Sequence, residues 1–331
     1  MSWIHHLWDS RKFHRTGALL LAPVDWLYSL WWSMSREASV PYWSDWQNQK
    51  MPSFPLPYAR HDLPVKTSRS DNAGSYLVSM VATHVDKSLL APLLPAQLEF
   101  DPTPRHGSID DNLHPVIYMF GFTQHLHFVW LPMRGFGYLE FAVAIPALRL
   151  KQPGNKFAGP FTYVPLLYLH QLYPIVLGWM VGYHKERRKM STDFSRYSIR
   201  SRDGQHEVIR AEFNECAPPE QGAHEDHVSH WAHLTMQPQV NQFADNTLLF
   251  LHYHLDWGNC VLQPVEAKLD VFSDEGVPGL KPGHYEWPGI NTGRPVPGHA
   301  PEGAFRLWAP FELLAPFTRR KLDGWVPPQT S

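Results

Sequence analysis

The chain has 331 residues and a formal net charge of −2 at pH 7, so it lacks the basic excess that neutralises phosphates, which excludes nucleic acid as an expected partner. Its 44% hydrophobic and 18% charged residues are typical of a globular protein with a large buried core. Two cysteines, Cys216 and Cys260, are too few for a disulfide framework or a cysteine-rich zinc site. They fit a reducing, cytoplasmic compartment, although one bridge between them stays open.

Residues 1–50 are predicted to form an aromatic-rich, helix-favouring N-terminal extension. Its apolar stretch 17–34, GALLLAPVDWLYSLWWSM, is interrupted by Pro23 and Asp25. The stretch is therefore too short for a membrane span, which needs about 20 apolar residues, and it lacks the small-residue cleavage site of a secretory signal. Two interpretations stay open: a helix packed on the domain or on a partner subunit, or a peripheral contact with a membrane interface, which tryptophans favour.

Residues 51–74 form a predicted linker, and residues 75–331 a single domain. Short runs of β-branched and aromatic residues, separated by Gly, Pro or Asn-Asp, predict strands at 75–85, 115–122, 126–131, 137–148, 162–172, 206–213, 228–236, 246–255 and 260–272. Asp86 is the predicted N-cap of a short helix that ends before Pro95. The Pro/Gly-rich segment 276–303 is predicted to be a long loop, and 304–318 to complete the domain.

This pattern of many short strands and few helices predicts an α+β fold class that is mainly antiparallel β. We expect a β-barrel or sandwich with small helices and a helical N-terminal extension.

The segment from 138 to 185 is the most informative part of the chain. It contains, in order, Tyr138-x-Glu140, Ile145-Pro146, Tyr168-Leu169, Gly178 and Tyr183-His184-Lys185. In order and spacing these pieces resemble the acetoacetate decarboxylase family. The resemblance extends upstream to the apolar run 78–85, Asp86 and Leu93-Leu94-Pro95, and downstream to CVLQPVEAKLDVF, so it covers about 75–315.

The resemblance implies a cofactor-independent enzyme that forms a Schiff base with a small-molecule carbonyl substrate and cleaves a carbon–carbon bond. Lys185 would be the nucleophile and Glu140 the proton shuttle. The predicted substrate pocket comprises Tyr76, Tyr138, Trp179, Tyr183, His184, His252 and His254. The reaction needs a neutral amine, and a lysine pKa near 10.4 must fall for that. Acetoacetate decarboxylase is itself a known example of an amine activated by a neighbouring cation.

Three departures from the family pattern affect the expected substrate. Glu186 stands where the family has a second lysine, and Tyr76 stands where it has an arginine for the substrate carboxylate. The segment around Trp179 is one residue shorter. These changes predict a carbonyl substrate larger and more apolar than acetoacetate, and they leave aldol, dehydration or cyclisation chemistry open. Adjacent residues on a strand point to opposite faces, so Glu186 can face away from Lys185. Arg187 or Arg188 could substitute for the missing cation, but spacing alone does not show it.

Other interpretations remain open. Lys185 could belong to a solvated basic run, and Glu140 could face outward. His125 with His127, and His252 with His254, could instead form the metal site of a barrel enzyme. A third hypothesis is a non-catalytic relative that binds a small molecule or lipid. The resemblance also implies a homo-oligomer.

Overall fold

The computed structural model describes residues 70–102, 110–128, 136–151, 159–179, 183–221, 231, 234–235, 237–242, 248–257, 260–273, 277–290 and 302–318. The extension 1–50, with its apolar stretch 17–34, lies outside the described residues, as does most of the linker 51–74.

The described elements are mostly strands. The helices are α1 (Lys87–Leu90), a 3₁₀ turn (Ala91–Leu93) and α2 (Leu172–Trp179). The strands are β1 (Ser70–Asp86), β2 (Leu98–Phe100), β3 (Leu113–Phe128), β4 (Phe136–Leu150), β5 (Phe161–Leu169), β6 (Lys185–Arg187), β7 (Met190–Thr192), β8 (Arg196–Arg200), β9 (Glu207–Glu215), β10 (Glu220–Gln221), β11 (Gln239–Gln242), β12 (Leu248–Leu255), β13 (Val261–Val271), β14 (Gly283–Trp287) and β15 (Gly303–Thr318).

These strands form one mixed sheet in the order β1-β3-β4-β5-β11-β12-β15-β13-β9-β8-β7, with β1 also pairing with β15. Among the described pairings of these strands, β5 with β6 and β5 with β11 are parallel, and the others are antiparallel. The predicted fold class, mainly antiparallel β with few helices, is confirmed.

Alternate side chains of the central strands enter two separate apolar clusters on opposite faces of the sheet, as the two-residue period of a strand requires. On β1, Leu77 and Val81 belong to one cluster, and Tyr76 and Val78 to the other. We call the second side the α2 face, because Ile175 of helix α2 packs into its cluster. The opposite side, the aromatic face, is covered by β8 and β9 and is rich in contacting rings, including Phe120, Phe141, Tyr197 and Phe213.

The predicted capping of the first helix is confirmed. The Asp86 carboxylate accepts a hydrogen bond from Ser88 N at 2.7 Å, which satisfies a donor left over at the helix start. The helical turns end at Leu93, and Leu94 is already extended, because a residue before proline avoids helical dihedrals.

Three predicted segments were assigned wrongly. The end of the predicted strand 162–172 turns into helix α2 at Leu172, because a continuous apolar run has no period that separates strand from helix. The described residues of 228–236 are helical. The predicted loop 276–303 contains β14, which pairs with β13, and its proline- and glycine-rich flanks concealed the strand.

Cys216 is exposed and Cys260 is buried, and no disulfide joins them. Within the described part of the chain, none of the helices has the length and hydropathy needed to cross a membrane.

Candidate active site

Strand register places Glu140 and Lys185 on the same face of the sheet. Glu140 on β4 pairs with Leu169 on β5, and Leu167, two residues earlier on β5, pairs with Lys185 on β6. Residues two apart on a strand share a face, and directly paired residues do too. Leu167 and Leu169 both belong to the α2-face cluster. The two residues that the sequence predicted as catalytic therefore lie close together on the α2 face, over strand β5.

The Lys185 side chain runs between helix α2 and two tyrosine rings. Its Nζ donates to Pro174 O at 3.2 Å. It lies 5.7 Å from the centre of the Tyr138 ring and 5.2 Å from that of Tyr183. A Cβ on Gly178 would lie 2.2 Å from Lys185 Cδ and 2.3 Å from Cε, so the lysine stem occupies the space that a side chain at 178 would need.

Burial lowers the pKa of Lys185 from 10.5 to about 8, and the nearby Glu140 carboxylate opposes that shift. The residue as a whole keeps some solvent exposure, but the amine at its end is the part removed from water, and the ammonium form is therefore disfavoured. With a pKa of about 8, roughly a tenth of the amines are neutral at pH 7, against roughly one in three thousand at the unperturbed value.

Glu140 is 9% exposed. Desolvation raises the pKa of its carboxyl group, and Lys185, Tyr76 and Thr123 oppose that rise in decreasing order. Burial thus favours the uncharged form of both groups, the amine and the carboxylic acid. A carboxyl group with a raised pKa beside a neutral amine can exchange protons with a substrate near neutral pH.

Glu186, Arg187 and Arg188 do not set the charge of the amine. Glu186 pairs with Arg188 at 3.0 Å, and the Arg188 guanidinium lies 4.7 Å from the centre of the Tyr168 ring, on the aromatic face. Arg187 Nε donates to a main-chain oxygen, His170 O, at 3.4 Å. Glu186 therefore faces away from Lys185, as expected. The suggestion that a neighbouring arginine replaces the family's second lysine was wrong, because burial is what lowers the Lys185 pKa.

Tyrosines surround the carboxylate. Tyr76, Tyr138, Tyr183 and Tyr253 each have a pKa raised first by burial and then by Glu140, so their hydroxyls stay protonated. The Tyr183 hydroxyl donates to Gln239. The Tyr253 ring meets that of Tyr76 edge-on, with centres 6.3 Å apart. The site is therefore a cluster of neutral hydroxyl groups around one carboxyl and one amine.

The remaining pocket predictions have different outcomes. Tyr76, Tyr138 and Tyr183 contact the Glu140–Lys185 pair as described, whereas His184 is exposed at the surface. The side chains of Trp179, His252 and His254 lie outside the described residues, as do those of His125 and His127. Among the side chains that the structure does describe, no group of three His, Cys, Asp or Glu residues could hold a metal ion.

Sequence reasoning missed Gly121, Thr123 and Tyr253. Gly121 pairs directly with Glu140, and Thr123 pairs with Tyr138, so both lie on the α2 face beside the carboxylate. The polar Thr123 near the end of an apolar run was a signal that could have been used. Tyr253 lies in sequence between the two histidines that drew attention as metal ligands, and its ring contacts Tyr76 on the α2 face.

No family profile matches the sequence, and no curated protein matches it either. Solved structures do resemble the fold. An enduracididine biosynthesis enzyme, MppR, complexed with pyruvate has 14% sequence identity and a TM-score of 0.49, covering 81% of this chain and 97% of its own.

Acetoacetate decarboxylase from Legionella pneumophila has 13% identity and a TM-score of 0.48, covering 78% of this chain and 92% of its own. An acetoacetate decarboxylase-like enzyme from Sphingomonas wittichii RW1 has 10% identity and a TM-score of 0.44, covering 76% and 93% respectively. Similarity at this level assigns no activity to the chain, so its function is argued from its own site.

Proposed function

We propose that the chain is a Schiff-base-forming carbon–carbon lyase that acts on a β-keto acid or a similar carbonyl substrate. One observation carries the proposal: a lysine amine, Lys185, is removed from water beside a buried carboxyl group, with its pKa lowered to about 8. Buried pairs of groups with shifted pKa values are typical of catalytic sites. Burial of an ion pair by itself adds little to the free energy of folding, because the cost of removing both charges from water offsets their attraction.

The proposed reaction uses these two groups in sequence. The neutral Lys185 amine adds to the substrate ketone, and loss of water with uptake of one proton gives a protonated imine. The electron pair of the adjacent carbon–carbon bond then moves towards the imine carbon; a β-carboxylate leaves as CO2, and an enamine remains. Glu140 in its acid form gives a proton to the enamine carbon, and water hydrolyses the imine to release the product.

The walls of the site support a substrate with apolar parts. Tyr138 and Tyr183 present their rings to the amine, and Leu167 and Leu169 form the floor between the two catalytic groups. Aromatic and aliphatic walls favour carbon-rich groups over small charged ones. This composition supports the expectation that the substrate is larger and more apolar than acetoacetate.

The test is reductive trapping. The full-length protein is incubated with each member of a panel of β-keto acids and ketones, treated with borohydride, digested and analysed by mass spectrometry. We expect a stable adduct at Lys185, and its loss in Lys185→Ala. The matched control is Lys189→Ala, which changes an exposed lysine four positions away and should keep the adduct. Turnover that survives in Lys185→Ala would refute the proposal.

A further inference from the structure

Thr123 is a buried hydroxyl residue beside the proposed proton shuttle. It is 1% exposed, and strand β3 places it between Tyr76 on β1 and Tyr138 on β4, its direct partners in the two neighbouring strands. Gly121, two residues earlier on β3, is the direct partner of Glu140. Thr123 is therefore the diagonal neighbour of Glu140 on the α2 face, a separation that the long glutamate side chain can span.

The threonine hydroxyl connects Tyr138 to Glu140. It hydrogen-bonds to the Glu140 carboxyl group and to the Tyr138 hydroxyl. Burial raises the pKa of Tyr138, so its hydroxyl keeps a proton that it can donate to Thr123 Oγ1. A threonine hydroxyl has a single proton of its own. When Tyr138 donates to Thr123, that single proton is available for an oxygen of Glu140.

The Lys185 amine approaches Glu140 from the other side. Leu167 on β5 pairs with β4 along one edge and with Lys185 of β6 along the other, whereas Thr123 belongs to β3, on the far side of β4. The Tyr76 hydroxyl, which also hydrogen-bonds to Glu140, reaches it from the β3 side as well. Both hydroxyls therefore lie on one side of the carboxyl group, and the amine with its bound substrate lies on the other.

This arrangement matters because a protonated carboxyl group has two unlike oxygens. One oxygen carries the proton and donates, and the other accepts. A proton on the oxygen beside Thr123 would point away from the substrate and would face the hydroxyl proton of the threonine. Donation from Thr123 therefore favours the acid form of Glu140 whose proton is on the oxygen facing Lys185, where the enamine forms.

We infer that Thr123 is a positioning residue that orients the Glu140 carboxyl group, so that the proton given to the enamine carbon is on the oxygen facing Lys185. The effect of Thr123 on the reaction passes through Glu140. This inference rests on the proposed function, because it concerns the protonation of the intermediate formed on Lys185.

The experiment separates imine formation from proton transfer in the full-length protein. The probe ketones are 2-pentanone and benzylacetone, and borohydride trapping at Lys185 measures imine formation. Deuterium uptake from heavy water at the carbons next to the carbonyl, followed by NMR, measures proton transfer. In this exchange Glu140 as the carboxylate removes a proton from the protonated imine to give the enamine, exchanges that proton with heavy water, and returns a deuteron to the same carbon. Hydrolysis then releases the deuterated ketone.

We expect Thr123→Val to reduce deuterium uptake about tenfold, the effect of losing one hydrogen bond in the proton-transfer step, while the trapping rate falls less than about twofold. Thr123→Ser keeps the hydroxyl and should retain uptake within about threefold of the wild type. Thr162→Val is the matched control, because it removes a buried threonine hydroxyl that donates to Leu234 O; it should change neither rate. In a Glu140→Gln background, Thr123→Val should lower the residual uptake less than about twofold, because the group through which it acts is already gone.

The outcomes distinguish this inference from the proposed function. If neither ketone is trapped at Lys185, the proposed function fails and the inference falls with it. Trapping without deuterium uptake in the wild type, or uptake in Thr123→Val at the wild-type rate, overturns the inference while imine formation stands.

Three further results would also overturn it. An equal fall in trapping and uptake would show that Thr123 only supports the fold. A loss in Thr123→Ser as large as that in Thr123→Val would show that the hydroxyl is not what matters. A further loss of about tenfold in the Glu140→Gln background would show that Thr123 does not act through Glu140. Should Thr123→Val fail to fold, Thr123→Ala removes the same hydroxyl with a smaller side chain and decides the same comparison.

Discussion

Replacing Gly178 by alanine should disturb the packing of Lys185 and leave the stability of the fold nearly unchanged. The added Cβ would lie 2.2 Å from Lys185 Cδ and 2.8 Å from Nζ. Carbon atoms in contact stay 3.5–4.0 Å apart, so the lysine stem has to move by roughly 1.3–1.8 Å. Because a flexible side chain yields more readily than backbone, we expect the lysine and not the sheet to shift.

The expected consequence is a loss of imine formation without a loss of folding. Displacement of a reacting group by about 1 Å costs about 100-fold in rate, so the initial rate of trapping at Lys185 should fall by about that factor. Alanine is also the better helix former by up to about 1 kcal/mol, and position 178 lies inside helix α2. The melting temperature should therefore change little or rise slightly.

The assay is borohydride trapping with a saturating ketone, followed by quantitative peptide mass spectrometry, with thermal unfolding measured in parallel. Gly283→Ala is the matched control, because a Cβ there meets its nearest neighbour at 3.7 Å; it should keep the wild-type trapping rate. If Gly178→Ala trapped substrate as fast as the wild type, the lysine would not be packed against residue 178, and the described geometry of the site would be refuted.

Four further predictions follow from the same site. The initial trapping rate should rise about tenfold per pH unit below pH 8 and level off above it, because the Lys185 pKa is lowered to about 8; pH-rate profiles measure this. Glu140→Gln should move that inflection to lower pH, since the carboxylate raises the amine's pKa. Lys185→Met should increase the free energy of unfolding by about 1–3 kcal/mol at pH 7 in urea titrations, because it removes a desolvated ammonium. Gly121→Ala should decrease that free energy by about 1–3 kcal/mol, because its Cβ would overlap Tyr76.

Contrary outcomes are specific for each. An inflection near 10.5 would mean that the amine is solvated, and an upward shift in Glu140→Gln would mean that the carboxylate does not face it. The stability gained in Lys185→Met should shrink as pH rises from about 8 towards 10.5, since a lowered folded-state pKa makes the wild type gain stability over that window. A pH-independent gain would point to packing instead. Unchanged stability in Gly121→Ala would contradict the position of the Tyr76 ring.

Local patterns were sufficient for much of the fold. The runs of β-branched and aromatic residues at 75–85 and 137–148 predicted strands that the structure contains within β1 and β4, and Asp86 caps the helix that its side chain predicted. These features depend on residues close in sequence. Helix α2 and strand β14 could not be predicted this way, because an unpatterned apolar run and a proline-flanked segment take their structure from the elements they pack against.

The candidate site also has features that the sequence predicted and features that it did not. Lys185 and Glu140 were identified from their place in an ordered motif, and the direction of Glu186 followed from strand alternation. The source of the lowered amine pKa could not be predicted from the sequence, since burial is a sum over many residues distant in sequence.

The sequence by itself indicated most of the strands and the capped helix, because these depend on short-range period and spacing, and its resemblance to the acetoacetate decarboxylase family indicated the two residues of the proposed chemistry. Only the tertiary structure decided that β5 brings the amine and the carboxyl group together, and that Gly121 and Gly178 make room for Tyr76 and Lys185. Strand register and the removal of water are set by pairing between distant segments, and no local pattern contains them.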